Sequence, residues 1–221
     1  MESNINHIFK PYKDRHIGET GILFATGPTL NSYKPIDEKA IKFGVNSIVF
    51  KKDIKLDYHF FGDRPLNHPD WIDGYDYIDE TYKTDINIQR FIHVLVDGKK
   101  LDSQLNDDEV ERLEGIGYEI TTGDEIKKNI SKYKLLNHSI VFSCLQFMLY
   151  TGIKRIYLVG CDMSNIRSFR DERALPQTMY SGNDHTSYWI LFKKFIEVEY
   201  SNVEIISINP VGLKGMFKWK K

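Results

Sequence analysis

Apolar positions along the chain fall into short blocks separated by glycine, proline and aspartate. Residues 21–26 (GILFAT) run apolar into Gly27-Pro28, the pattern of a strand, a tight turn and a following helix. A second strand is predicted over 42–50 (KFGVNSIVF) and a third over 56–61, which ends at Gly62-Asp63. Residues 90–96 (RFIHVLV) end in Asp97-Gly98, and an acidic helix over about 106–114 leads to another strand at 117–121. Residues 139–150 carry Ile140, Val141, Cys144, Leu145, Phe147, Met148 and Leu149 around most of a helical surface, which predicts a largely buried helix closed by Gly152. The run 154–160 (KRIYLVG) then reads as a strand covered on both faces. Residues 165–182 have no periodicity and are too long for an ordinary connection, so a lid is expected there. An amphipathic helix over 185–200 and a strand over 203–208 close the pattern.

Strands alternating with helices imply a mostly parallel sheet joined by crossovers, so the expected fold is a single Rossmann-like α/β domain over 1–221 with a lid insertion at about 163–182. In such sheets ligands bind outside the carboxyl ends of the strands. Topology alone therefore brings Thr26-Gly27-Pro28, Asn46 and Gly160-Cys161-Asp162 to one edge.

Composition narrows the field. The 221 residues carry 30 Lys plus Arg against 31 Asp plus Glu, a net charge of −1, so no global basic field marks a nucleic-acid partner. The 41% of hydrophobic residues, with aromatics at 13%, suffice for a buried core and exclude whole-chain disorder. No apolar run reaches the length of a membrane span, and the polar start reads as a soluble, unprocessed, cytoplasmic chain. Cys144 and Cys161 sit in apolar runs and read as buried thiols. Asp73, Asp76 and Asp79, like Asp107-Asp108-Glu109, read as solvated acidic faces, and His59 and His93 show no ligand spacing, so no metal is expected. Lys214, Lys218, Lys220 and Lys221 interleave with Phe217 and Trp219. A frayed basic end is the simpler reading, and peripheral contact with the inner face of an anionic membrane is the other.

The candidate chemistry lies at the strand ends. Gly27-Pro28-Thr29-Leu30 lets backbone approach a ligand, and a helix after it would offer free N–H groups to phosphate. Asp162, directly after a buried strand, suits either the hydroxyls of a ribose or the cap of a turn. His185 follows Ser181-Gly182-Asn183-Asp184 and should open a helix, whose N-terminus keeps an imidazole neutral and able to accept a proton.

Together these segments resemble one family. Gly27-Pro28-Thr29-Leu30 is similar to the Gly-Pro-Ser-Leu turn of the bacterial lipooligosaccharide sialyltransferases and the related motility-associated-factor proteins of flagellin glycosylation. The unit over 139–162, ending IKRIYLVGCD, resembles that family's later nucleotide-binding unit, and Asp184-His185-Thr186 with VEIISINP resembles its catalytic histidine and last strand. The resemblance implies an inverting glycosyltransferase that moves a sialic-acid-like sugar from its cytidine monophosphate donor to a surface glycan. It implies that Gly27, Pro28 and Thr29, next to Thr26, cradle the nucleotide, with Asn46 reaching phosphate or ribose and Ser139 and Asp162 the nucleoside. His185 would be the general base, with no cofactor or metal. The family's Asn before Gly-Pro is Thr26 here, and the tyrosine after its Asp is replaced by Met163-Ser164. Tyr180 or one of Arg167, Arg170 and Arg173 is expected to stabilise the leaving phosphate instead. Two other readings are a hydroxymethylpterin pyrophosphokinase, requiring ATP and Mg²⁺, and a non-catalytic nucleotide- or glycan-binding relative.

Overall fold

A computed structural model describes residues 5–62, 81, 83, 87–100, 105–123, 125–136, 139–163, 169–170 and 182–221, with backbone alone at Ile5 and at 182–185. Its centre is β1 (Thr20–Phe24), every residue of which from Gly21 onward is buried. β1 pairs in parallel with β2 (Ile41–Val45) on one side and β7 (Arg155–Val159) on the other. Outward from β2 lie β3 (Tyr58–Phe61), β4 (Gln89–Val96), β5 (Gly115–Thr121) and the two-residue β6 (Leu135–Leu136). Outward from β7 lie β8 (Glu204–Ile208) and β9 (Lys218–Lys220). The order 6-5-4-3-2-1-7-8-9 is parallel throughout. The chain builds the sheet outward from β1 in one direction, then returns beside β1 and builds in the other. The resulting single α/β domain is Rossmann-like, with its topological switch point between β1 and β7.

Period-two alternation divides these strands between two faces. Leu23, Phe43, Phe60, Phe91 and Tyr118 enter the larger core, while Ile22, Phe24, Tyr157, Val159 and Ile206 enter a second one opposite. The larger core is covered by α2 (Ile140–Tyr150), whose residues are all buried except Val141, as its continuous apolar surface predicts. Phe147 of this helix lies 4.8 to 6.2 Å, ring centre to ring centre, from Phe9, Tyr12, Phe43, Tyr58, Phe60 and Phe91. Gly21 has no Cβ to hold the helix off, since one would stand 2.7 Å from Met148 Cε. α2 ends with Gly152 at φ 89°, a left-handed position suited to glycine. α3 (Gly182–Glu199) adds Trp189, Phe192 and Ile196 to the same core and packs on Phe142.

Several expectations are corrected. The second strand stops at Val45, because Asn46 turns left-handed (φ 47°) and starts the 3₁₀ helix Asn46–Phe50. The helix expected after Gly27-Pro28 is a single 3₁₀ turn, Pro28–Ser32. It stops because Pro35 disfavours helical backbone at the preceding residue, and Tyr33 is already extended. The basic C-terminal run does not fray but forms β9 on β8. Two elements are unexpected: the 3₁₀ helix Ile5–Tyr12, although Ile5, Ile8, Phe9 and Tyr12 stand at helical spacing, and β6, which at two residues is too short to show a period. The acidic helix forms as α1 (Asp107–Arg112), where Glu109 completes a capping box with Asn106 and the acidic first turn complements the helix dipole. Asp73, Asp76 and Asp79 lie outside the described residues.

Candidate nucleotide site at the switch point

Every strand of the sheet runs the same way, so all carboxyl ends share one edge. At the switch point the loops after β1 and β7 are joined directly. The sheet ladder continues past both strands through Ala25 N–H to Val159 O and Gly27 N–H to Gly160 O, each 2.8 Å. Gly160 is left-handed (φ 69°), and a Cβ there would stand 2.5 Å from Ala25 O. A Cβ on Gly27 would meet Asp162 Oδ2 at 2.4 Å and Gly160 O at 2.5 Å. Glycine at 27 thus makes room for the Asp162 carboxylate.

Asp162 is 4% exposed, and both its oxygens face Thr29. Oδ2 accepts the Thr29 N–H at 2.7 Å and Oδ1 accepts the Thr29 hydroxyl. Burial pushes the carboxyl pKa up, and the two Thr29 hydrogen bonds oppose that shift. Of the two roles open to Asp162, the structure displays the turn cap. The turn at Pro28–Ser32 is also less of an anion site than expected. Pro28 has no N–H, that of Thr29 goes to Asp162, and that of Leu30 goes to Gly27 O at 3.1 Å. One 3₁₀ turn also lacks the length for a macrodipole.

Two further strands tie into this loop pair. Asp162 O accepts from Gly212 N at 2.7 Å, beyond β8. Asn209, directly after β8 and left-handed at φ 47°, donates from Nδ2 to Ser32 Oγ at 3.2 Å, and Ser32 Oγ donates to Thr29 O at 2.9 Å. On the other side Asn46 directly follows β2, in a sheet where Phe24 pairs with Gly44, so Thr26 and Asn46 are neighbours along the edge. Its carbonyl accepts from His59 Nε2 at 2.8 Å. The expected edge group of Thr26-Gly27-Pro28, Asn46 and Gly160-Cys161-Asp162 is therefore assembled by the topology, and Thr29 joins it through Asp162.

The helix starts belong to the same edge. Ser139, three residues beyond β6, is the N-cap of α2, and its side chain makes no cap hydrogen bond. α3 ends at Glu199, close before β8, and its 18 residues span about 27 Å, which returns its first turn to the carboxyl edge. His185 is the fourth residue of that helix; its side chain lies outside the described residues.

Of the expected lid, Phe169 and Arg170 are described between its ends. Phe169 N–H donates to Thr26 O at 2.8 Å, and Asn31 Nδ2 donates to Phe169 O at 2.9 Å. The Arg170 guanidinium lies 3.6 Å from the ring centre of Phe50, a cation–π contact that sets a positive charge at the far end of the 3₁₀ helix that follows β2. Arg167, Arg173 and Tyr180 lie outside the described residues.

The supporting residues Asn31, Ser32, His59 and Asn209 escape the motif reading. Asn209-Pro210 is a turn signal by composition, as is an asparagine directly after a strand, but their partners lie far away in sequence. Cys144 is buried and Cys161 half-buried, both with thiol pKa values raised by burial. Among the described residues no group of three His, Cys, Asp or Glu side chains gathers in a metal-binding arrangement, and no helix is long and apolar enough to cross a membrane.

The fold is shared. It is similar to the structure of the sialyltransferase CstII from Campylobacter jejuni in complex with the substrate analogue CMP-3FNeuAc, over 93% of this chain and 87% of that one, at a TM-score of 0.50 and 12% identity. A second CstII structure, with cytidine-5'-monophosphate, aligns over 87% of this chain and 80% of that one at a TM-score of 0.43 and 14% identity. The likeness is to a sialyltransferase fold and does not extend specifically to the flagellin-glycosylation branch. No family model and no curated protein sequence matches the chain.

Proposed function

We propose that the chain is a glycosyltransferase that moves a sialic-acid-like sugar from a CMP-sugar donor to a surface glycan acceptor. The observation that carries this reading is the switch-point edge. Loops from β1 and β7 are sealed together there, with Asn46, Ser139 and the first turn of α3 on the same side, in a fold similar to that of a sialyltransferase with a CMP-sugar analogue. In this reading Thr26, Gly27, Pro28 and Thr29 form the floor under the nucleotide, and Asn46 and Ser139 supply hydrogen bonds. Asp162 supports the floor through Thr29 and reaches the nucleoside by exchanging the Thr29 hydroxyl for a ribose hydroxyl.

His185, neutral in the first helical turn, removes the acceptor hydroxyl proton as that oxygen attacks the anomeric carbon. The bond from that carbon to the phosphate oxygen breaks, and its electron pair leaves with the cytidine monophosphate. The departing phosphate is stabilised by hydrogen bonds from the Tyr180 hydroxyl or from one of the guanidinium groups of Arg167, Arg170 and Arg173. The reaction so written uses no cofactor or metal. It would proceed in the cytoplasm, with Lys214, Lys218, Lys220, Lys221 and the half-exposed Trp219 offering peripheral contact to an anionic membrane.

Calorimetric titration with CMP and CDP against AMP and GMP tests the donor class. Cytidine nucleotides should bind at least about tenfold tighter, and no cytidine binding would sink the assignment. For the base, His185→Ala should abolish transfer and leave CMP affinity unchanged, because the base acts on the acceptor side. Parallel loss of both would make His185 a structural residue. Transfer should persist in excess EDTA.

A further inference from the structure

Among the described residues proposed to meet the nucleotide, Asn46 alone has a left-handed backbone, φ 47°. Asparagine tolerates this region better than most residues, yet the conformation still costs free energy and persists where something holds it. The holder is visible. The Asn46 carbonyl accepts a 2.8 Å hydrogen bond from His59 Nε2, and since a carbonyl only accepts, Nε2 carries the hydrogen. His59 projects from β3 and is 1% exposed. Its ring stacks on Phe61, centres 4.5 Å apart, so the donor points in one direction. Burial pushes its pKa down to about 4, which keeps the ring neutral at physiological pH. Asn46 is half-buried, and its side-chain amide makes no hydrogen bond with the described residues and has both donor and acceptor to offer.

We propose that His59 is a positioning residue for the nucleotide site: its buried Nε2–H holds Asn46 left-handed, so that the Asn46 amide is presented at the carboxyl edge to the ribose or phosphate. The identity of the ligand rests on the function proposed above; the holding of Asn46 does not. His59 itself touches no ligand, and its contribution passes entirely through Asn46.

The test is CMP calorimetry on the full chain with variants at both positions. His59→Leu, which keeps the volume and removes the donor, should weaken CMP binding roughly tenfold, the scale of one net hydrogen bond. His59→Gln, whose amide nitrogen reaches about as far as Nε2, should restore binding to within about threefold. In an Asn46→Gly background, where no side chain remains to be presented, adding His59→Leu should change affinity by less than about twofold. A histidine that merely supports the fold would cost the same in both backgrounds. Wild-type affinity in His59→Leu, or equal losses in the two backgrounds, overturns the proposal.

Should His59→Leu fail to fold, His59→Gln and His59→Asn decide: tight binding by Gln and weak binding by the shorter Asn supports it, and equal affinity overturns it. If the wild type binds no cytidine nucleotide, the glycosyltransferase reading falls by itself. The backbone ¹³C shifts of Asn46 then decide for His59: a left-handed signature kept in His59→Gln and lost in the variants without the donor supports the inference, and one kept in all of them overturns it.

Discussion

At the scale of single residues, the carboxyl edge is organised by small polar groups whose value lies in what they orient. Asp162 and Thr29 close on each other across the switch point, and Gly27 leaves the space for that closure. Gly27→Ala drives a methyl group into the Asp162 carboxylate and the Gly160 carbonyl. It should therefore cost about 1–3 kcal/mol of stability, in the range for overpacking a tight site, and open the Thr29–Asp162 contact. Urea midpoints measure the first, and the Thr29 amide shift reports the second.

His59 makes a separate prediction in pH. It titrates near 6.5 when unfolded and near 4 when buried, so the unfolded chain binds the extra proton between these values. Its contribution to stability is complete above pH 6.5 and is lost as pH falls towards 4, about 3 kcal/mol in total. His59→Gln should flatten that limb of the stability–pH curve, read from urea unfolding at pH 7, 5.5 and 4. An unchanged slope would place the proton uptake elsewhere. The candidate site was partly legible in the sequence at this scale. Thr26, Gly27, Asn46 and Asp162 could be placed on one edge because each follows an apolar block in a parallel pattern. The pairings Thr29–Asp162, Asn46–His59 and Asn209–Ser32 could not, since 13 to 177 residues separate the partners and nothing local encodes them.

At the scale of elements, period and punctuation carried most of the information. α2 is legible because eleven residues, ten of them buried, leave little polar surface, and Gly152 stops it where a left-handed residue is required. α1 is legible from its cap: Asn106→Ala removes the acceptor for the Glu109 N–H and should cost about 1 kcal/mol, detectable as faster amide exchange in Asp107–Arg112. β9 shows the opposite case. Lys218, Trp219 and Lys220 have no strand pattern that sets them apart from a basic tail, yet they pair with Ile206, Ser207 and Ile208. Lys218 also reaches Glu204 at 2.6 Å, and the Arg155 guanidinium meets the same carboxylate at 2.8 Å. Deleting residues 217–221 should expose the outer side of β8. The expected result is a lower unfolding midpoint with faster exchange confined to β8, and uniform protection after deletion would show that β9 contributes nothing to its neighbour.

At the scale of the whole molecule, one aromatic side chain links the layers. Phe147 meets rings from β2, β3, β4 and the N-terminal 3₁₀ helix, so its removal opens a cavity where the helix layer, the sheet and the first residues of the chain converge. Phe147→Ala should cost about 3–5 kcal/mol, and Phe147→Leu distinctly less, as measured by denaturant unfolding. Alternating apolar blocks determined the fold class, because a period of two or of 3.6 commits a segment to strand or helix before any partner is known. The same pattern determined that the chemistry-bearing residues follow strands. The order of the strands was decided only in three dimensions, and with it the switch point between β1 and β7. So were the closing of Thr29 onto Asp162 in the turn after β1 and the pairing of the basic C-terminal run with β8 as β9. These outcomes depend on which surfaces meet and on hydrogen bonds between residues far apart in the chain. Such contacts repay the entropy of ordering only when the whole sheet is assembled.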